Sequence, residues 1–464
     1  MTAGLPPTIA AAAGALRAGE TTSVALTEAM LERADRLDDR IGCYLFRCDD
    51  AALARAKQAD AELAAGDDKG PLQGIPLAVK DIVATADCPT SAQSLVLDPA
   101  WGDQGDAPVV RRLREAGAVL TGKTSTMEFA IGLPDPAKPF PVPRNPWNLD
   151  RWSGGSSSGT ANGVAAGFFY GGVGTDTGGS IRMPSALCGI TGLKPTFGRV
   201  PKAGVVPLSW SLDHVGPMAR TAHDCALLLE VMAGYDAADP LCLDAPVPRY
   251  VDALDGSLDG VRVAVQRRHH VDAPFVDPST VARFDEALAV LEAGGAVVEE
   301  VDIEAFDILN EAVAPLFMTE AFAYHRPTMQ TRWDDYFATT RVMVASAAFY
   351  TGTDVVQARR VRNHVLGRVN EVLGRYDVIA TLTNGVGAPN AVGLDFAAAL
   401  VLPVFTGPWN ALGLPGASVP IGFTNDGLPV GMHLAGPSLG EAAVLRVADA
   451  YQQRTDWHLR APSL

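Results

Sequence analysis

Apolar positions in the N-terminal part of the chain recur at intervals of three and four, the spacing of one helix face. Residues 8–36 read as two helices parted at Gly19-Glu20. Thr22 is the N-cap of the second, and Val24, Leu26, Met30, Leu31, Ala34 and Leu37 form its apolar side. Residues 51–65 and 108–116 repeat the pattern. The run Gly74-Ile75-Pro76-Leu77-Ala78-Val79-Lys80-Asp81-Ile82-Val83 differs, being apolar apart from two adjacent charges, and predicts a buried strand. A short strand over 118–121 and a helical turn over 124–131 follow. Further on, the periods alternate: helix 222–234, a Pro/Asp loop 236–250, strand 261–265, helix 279–293, strand 296–301, a mostly helical stretch 305–372, strands 376–382 and 416–421, and a closing helix 440–453. No internal repeat or clean boundary interrupts them. The expectation is one α/β domain over residues 1–464, an α/β/α sandwich with helices on both faces of a large mixed, twisted sheet.

A different texture runs from Asn145 to Pro207, rich in Gly, Ser and Thr with short apolar runs between. A helix over 161–169 leads into an apolar run at 171–175 and then the turn Gly178-Gly179-Ser180. The stretch is too apolar for a linker and too glycine-rich for ordinary helix, so its backbone approaches something closely.

Composition narrows the classes. Of 464 residues, 48% are hydrophobic and 19% charged, which is globular rather than disordered. The net charge of −16 repels phosphate backbones, so neither nucleic acid nor an anionic membrane is an expected partner. Met1–Leu16 carries no Lys or Arg, so no signal peptide is read and a cytoplasmic location is expected. Cysteines stand at 43, 48, 88, 188, 225 and 242, with no CxxC pair and no zinc spacing among the eight histidines. Free thiols, no metal and no cofactor are expected.

Lysine is scarce: seven, at 57, 69, 80, 123, 138, 194 and 202, against 30 arginines. Lys80 lies inside an apolar run, where desolvation turns an amine into a neutral base. Its plainer reading is a strand-end lysine paired with Asp81. Ser153-Gly154-Gly155-Ser156-Ser157-Ser158-Gly159-Thr160 offers amides and hydroxyls at a helix start, as a phosphate cradle or as a surface turn. It lacks the lysine of a P-loop and the spacing of a dinucleotide fold. In Gly174-Thr175-Asp176-Thr177-Gly178-Gly179-Ser180-Ile181-Arg182-Met183-Pro184, two glycines before a serine permit the run of N–H groups an oxyanion hole needs, or the serine caps a helix. His214, His223 and the pair His269-His270 sit in no nucleophile-like constellation, leaving a serine enzyme without a histidine base.

Together these segments resemble the amidase signature family. Ala116–Thr124, Cys188–Thr196, Asn410–Pro415 and Gly427–Gly431 are similar to it as well, densely over 70–220 and again over 403–436. The resemblance implies a Ser-cisSer-Lys triad of Lys80, Ser156 and Ser180, with a cis peptide bond at Gly155–Ser156. It implies an oxyanion hole from Thr177, Gly178, Gly179 and Ser180, a brace from Asp176 and Arg182, and a substrate-approaching segment at Ala130, Ile131 and Gly132. The implied reaction is hydrolysis of non-peptide amides, with carbamates open to the same triad, by a monomer or homodimer acting on a small molecule. The alternative is the glutaminase component of a tRNA-dependent amidotransferase, its A subunit, which the 195–235 stretch looks most like. That component carries an acid just before its Phe-Thr motif to hold the amino group of glutamine; here Pro403 precedes Val404-Phe405-Thr406. Ser125 stands where the family often has Asn. Residues 305–400 are expected to form a variable substrate lid, with Trp152, Trp210 and Trp409 as cleft or core residues.

Overall fold

The structure, a computed structural model, describes residues 4–103, 105–394, 402 and 404–464. The expected α/β architecture is found. Its strands are β1 (Tyr44–Arg47), β2 (Pro76–Lys80), β3 (Val119–Thr124), β4 (Arg144–Asn145), β5 (Asn148–Trp152), β6 (Gly171–Asp176), β7 (Thr191–Lys194), β8 (His214–Ala219), β9 (Arg262–Gln266), β10 (Val297–Val301), β11 (Val378–Leu382), β12 (Gly416–Phe423) and β13 (Pro429–Ala435). Eleven form one mixed sheet in the order β1-β3-β2-β6-β8-β7-β12-β13-β11-β9-β10, and β4 with β5 makes a separate hairpin.

The period-2 rule explains why both faces are covered. Leu77 and Val79 of β2 enter one core with Ile9, Ala12, Val109 and Leu228 from helices. Ala78 between them enters another, with Leu37, Ile41, Ala161 and Val164. A strand buried on both sides must read as continuously apolar, as this one does.

The two N-terminal helices are Ile9–Ala18 and Ser23–Ile41, the second running past the expected end at residue 36. Thr22 accepts a hydrogen bond from the Ala25 amide at 3.0 Å, and Gly42 closes the helix Ser23–Ile41 at φ 67°. The expected helical turn at 124–131 is instead strand to Thr124 and a short 3-10 turn at Glu128–Ala130, with Phe129 and Ala130 at φ 49° and 63°. The mostly helical stretch resolves into helices Phe306–Met329, Ala338–Ser346 and Gly352–Leu373.

One expectation is corrected. Cys48 and Cys88 are joined in a disulfide, while Cys43, Cys188, Cys225 and Cys242 are free. Cys48 follows edge strand β1 and Cys88 lies in the loop beyond β2, so a separation of 40 residues hides a close approach set by the sheet. No helix among the described residues is long and apolar enough to cross a membrane.

Candidate active site

β2 and β6 run parallel as neighbours, with Leu77 beside Gly171 and Val79 beside Val173. Their C-terminal ends therefore open at the same edge of the sheet, where α/β folds place ligands. Lys80 ends β2 and Asp176 ends β6. The loop before the helix Ser158–Ala166 brings Ser156 to that edge, with a cis peptide bond at Gly155–Ser156.

Lys80 is wholly buried, and its Nζ lies 2.7 Å from Ser156 Oγ and 2.7 Å from Thr175 Oγ1. It does not pair with Asp81, which takes Lys123 at 3.4 Å and holds Ser91 and Gln93. Burial pulls the Lys80 amine down to about 7, against the opposing pull of Asp176 and Asp213. A base that is half neutral near pH 7, in contact with a hydroxyl, can accept its proton.

Ser180 lies on the next turn, and its carbonyl accepts from the Ser157 amide at 3.1 Å. That backbone bond ties the Ser156 loop to the Ser180 loop. Among the described residues no hydrogen bond joins the two serine hydroxyls. The Ser180 loop is braced from beneath. Buried Asp176 accepts from the amides of Gly179 at 2.7 Å and Ile181 at 3.1 Å, from Arg182 Nε and Nη2 at 3.0 Å each, and from Asn410 Nδ2 at 2.8 Å. Burial alone raises this carboxyl, but Arg182, Lys194 and Asn410 outweigh it and hold it well below the carboxylate range. Arg182 also donates to Asn410 Oδ1 at 2.6 Å, the Thr406 carbonyl at 3.1 Å and His433 Nε2 at 3.0 Å. Gly179 has φ 134°, and a Cβ there would overlap Thr406 Oγ1, so no side chain fits.

The Gly179 amide therefore belongs to the brace. Of the four amides in the implied oxyanion hole, that of Gly179 donates to Asp176, whereas those of Thr177, Gly178 and Ser180 enter no described hydrogen bond. Thr177 is positioned by its own hydroxyl, which donates to Asp213 Oδ1 at 2.6 Å.

The expected substrate segment divides. Ala130 lines a cavity of about 300 Å³ together with Thr175, Thr177 and Asp213. Ile131 and Gly132 instead pack against the helix Ala338–Ser346: the Ile131 carbonyl accepts from Thr340 Oγ1 at 3.2 Å, and the Leu133 amide donates to Thr339 Oγ1 at 2.8 Å. Ser125 is buried and turned away, donating to the Gly42 carbonyl at 2.7 Å. Trp152 and Trp409 are core residues, whereas Trp210 is 57% exposed and lines the cavity. His214 is held by Nδ1 donation to the Leu212 carbonyl at 2.6 Å, and burial keeps its ring neutral. Pro403 lies outside the described residues.

Thr175, Asp213, Thr406, Asn410 and His433 join the site without standing out in the sequence as site residues. All five lie within the family-like stretches 70–220 and 403–436, which is the one available signal.

Residues 25–445 match the family model described as Amidase. The chain is 41% identical, over 98% of its own length and 98% of the relative's, to the A subunit of glutamyl-tRNA(Gln) amidotransferase from Roseiflexus sp. (strain RS-1). It is similar to the solved peptide amidase of Stenotrophomonas maltophilia, with a TM-score of 0.85, 30% identity and coverage of 98% of this chain and 97% of that one. It is similar too to the solved A subunit of glutamyl-tRNA(Gln) amidotransferase from Thermotoga maritima, with a TM-score of 0.78, 32% identity and coverage of 93% and 91%.

Proposed function

The chain belongs to the amidase signature family, and on that premise we propose that it hydrolyses amide carbon–nitrogen bonds through an acyl-enzyme on Ser180. The observation that carries this reading is the buried amine of Lys80, lowered to about 7 and seated 2.7 Å from Ser156 Oγ. Neutral Lys80 takes the Ser156 proton as Ser156 takes that of Ser180. The Ser180 oxygen bonds to the substrate carbonyl carbon, and the amides of Thr177, Gly178 and Ser180 receive the oxyanion. The C–N bond breaks as Ser156 returns a proton to the leaving amine. Water, deprotonated through the same relay, then cleaves the ester. The test is a panel of alkyl amides, anilides, carbamates and glutamine, assayed with the wild type and Ser180→Ala. Turnover of a simple amide that survives Ser180→Ala refutes the assignment.

Within that chemistry we favour an enzyme that acts alone on small amides, for which the carboxylate-free Pro403 position and the largely apolar cavity argue. A second reading has its own support. Relatives 38–41% identical over nearly the whole chain are A subunits of glutamyl-tRNA(Gln) amidotransferase, and they weigh toward a glutaminase component more than toward a free-standing amidase. Such a component would need partner chains, against the expectation of a monomer or homodimer. Glutaminase activity, alone or with partner subunits present, decides for the second reading. Simple-amide turnover by the purified chain without it decides for the first.

A further inference from the structure

Trp210 presents its indole at the mouth of the cavity with 57% of its surface exposed. Exposed tryptophans on unanchored loops carry little meaning, but this one is anchored on both sides. Glu320, from the helix Phe306–Met329, accepts from Ser209 Oγ at 2.7 Å and from the Ser211 amide at 2.9 Å. Lys202 Nζ donates to the Trp210 carbonyl at 2.7 Å. Asp213 then accepts from the Leu208 amide at 2.9 Å and the Ser209 amide at 3.0 Å, and from Thr177 Oγ1 at 2.6 Å, which joins the turn to the loop of Ser180. The backbone around Trp210 is thus fixed while its ring is left without a buried packing site.

The cavity behind the ring has apolar walls, among them Ile82, Val205, Val206 and Leu208, with Trp101 and Tyr324 as further aromatic faces. Its charged lining groups are held in place by hydrogen bonds. Asp213 accepts as above, Asp239 accepts from the amides of Lys202 and Leu241, and Lys202 donates to the Trp210 carbonyl. What the space offers a ligand is apolar area and aromatic faces.

Resting on the amide-hydrolase reading, we infer that Trp210 is a specificity-determining residue: it receives an aryl group attached to the scissile amide, and Glu320 is the positioning residue that holds it there. An aromatic ring gains from this mouth both area and stacking, and a two- or three-carbon chain reaches neither.

The experiment compares phenylacetamide and acetanilide, which carry the ring on the acyl and amine sides, with propionamide. Trp210→Ala is expected to lower the ratio of kcat/KM for the preferred aryl amide to that for propionamide at least tenfold, mainly through KM. Trp210→Phe retains most of the ratio. Glu320→Ala lowers it by a smaller factor, and Glu320→Gln, whose amide oxygen still accepts, restores it. Binding is read separately: the Kd of Ser180→Ala for the same aryl amide should rise tenfold when Trp210→Ala is added. An unchanged ratio, or an unchanged Kd, overturns the inference. Tight aryl-amide binding without turnover by the wild type would fail the amide-hydrolase reading and leave the subsite standing.

Discussion

Two buried charged groups flank the Ser180 loop and are built by opposite rules. Arg182, wholly buried, meets Asp176, Asn410, His433 and a backbone carbonyl, so its donors are engaged on several sides. Lys80, equally buried, touches two hydroxyls, and the carboxylates of Asp176 and Asp213 act on it only at longer range. One cluster fixes geometry. The other leaves an amine so thinly supported that its neutral form is as favourable as its charged one near pH 7. Full satisfaction makes a brace, and partial satisfaction makes a base.

Substitutions that separate activity from stability sharpen this contrast. Ser180→Ala should lower turnover on the order of 10⁴-fold or more with an unchanged melting temperature. Arg182→Met leaves Asp176 buried without its partner and is expected to cost about 3–5 kcal/mol of stability, read from chemical denaturation. Lys80→Met should abolish turnover at neutral pH yet hold its denaturation midpoint or raise it, because it removes an amine that burial disfavours. If Lys80→Met destabilises as much as Arg182→Met, Lys80 belongs to the brace and the contrast fails.

How much of this is legible in the sequence depends on the distance along the chain over which each feature is made. Lys80, Ser156 and Ser180 each stand in a short run whose composition is odd by itself: an amine in an apolar strand, glycines and serines without a P-loop lysine, two glycines before a serine. The partners that give those residues their chemistry come from afar. Arg182 finds Asn410 and His433 across 228 and 251 residues, and Trp210 is anchored by Glu320 through neighbours 109 and 111 residues away. The α/β alternation is readable where strands are apolar runs. It misses β1 and β13, and it fails at β7 and β8, where Gly192, Gly216 and Pro217 break the pattern but full burial holds the backbone in the sheet. The turn at Glu128–Ala130 escapes the sequence for a related reason: Phe129 and Ala130 take left-handed conformations that neither residue type announces. There Glu128 accepts from the Phe337 amide at 2.7 Å and Ser94 Oγ at 2.7 Å, and His325 packs on the Phe129 ring at 4.4 Å, so distant contacts dictate the turn.

A weaker effect tests the base directly. With Lys80 lowered to about 7, the reactive neutral form is lost as pH falls, so kcat/KM should drop about tenfold per pH unit below that value and level off above it. A rate flat from pH 5 to 8 would remove Lys80 from the mechanism.

The smallest expected change is also the most specific. Thr175 Oγ1 accepts from Lys80 Nζ in either protonation state, but a hydrogen bond from an ammonium is about twice as strong as one from a neutral amine. Thr175 therefore favours the charged form more than the neutral one. Thr175→Val removes that preference and keeps the side chain's shape, so the amine's affinity for protons falls. The acid limb of the rate profile should move to lower pH, by roughly half a unit to one unit. Loss of positioning alone would lower the plateau and leave the limb where it was. Movement of the limb to higher pH would mean that the hydroxyl supports the neutral amine, reversing the account of how this site makes its base.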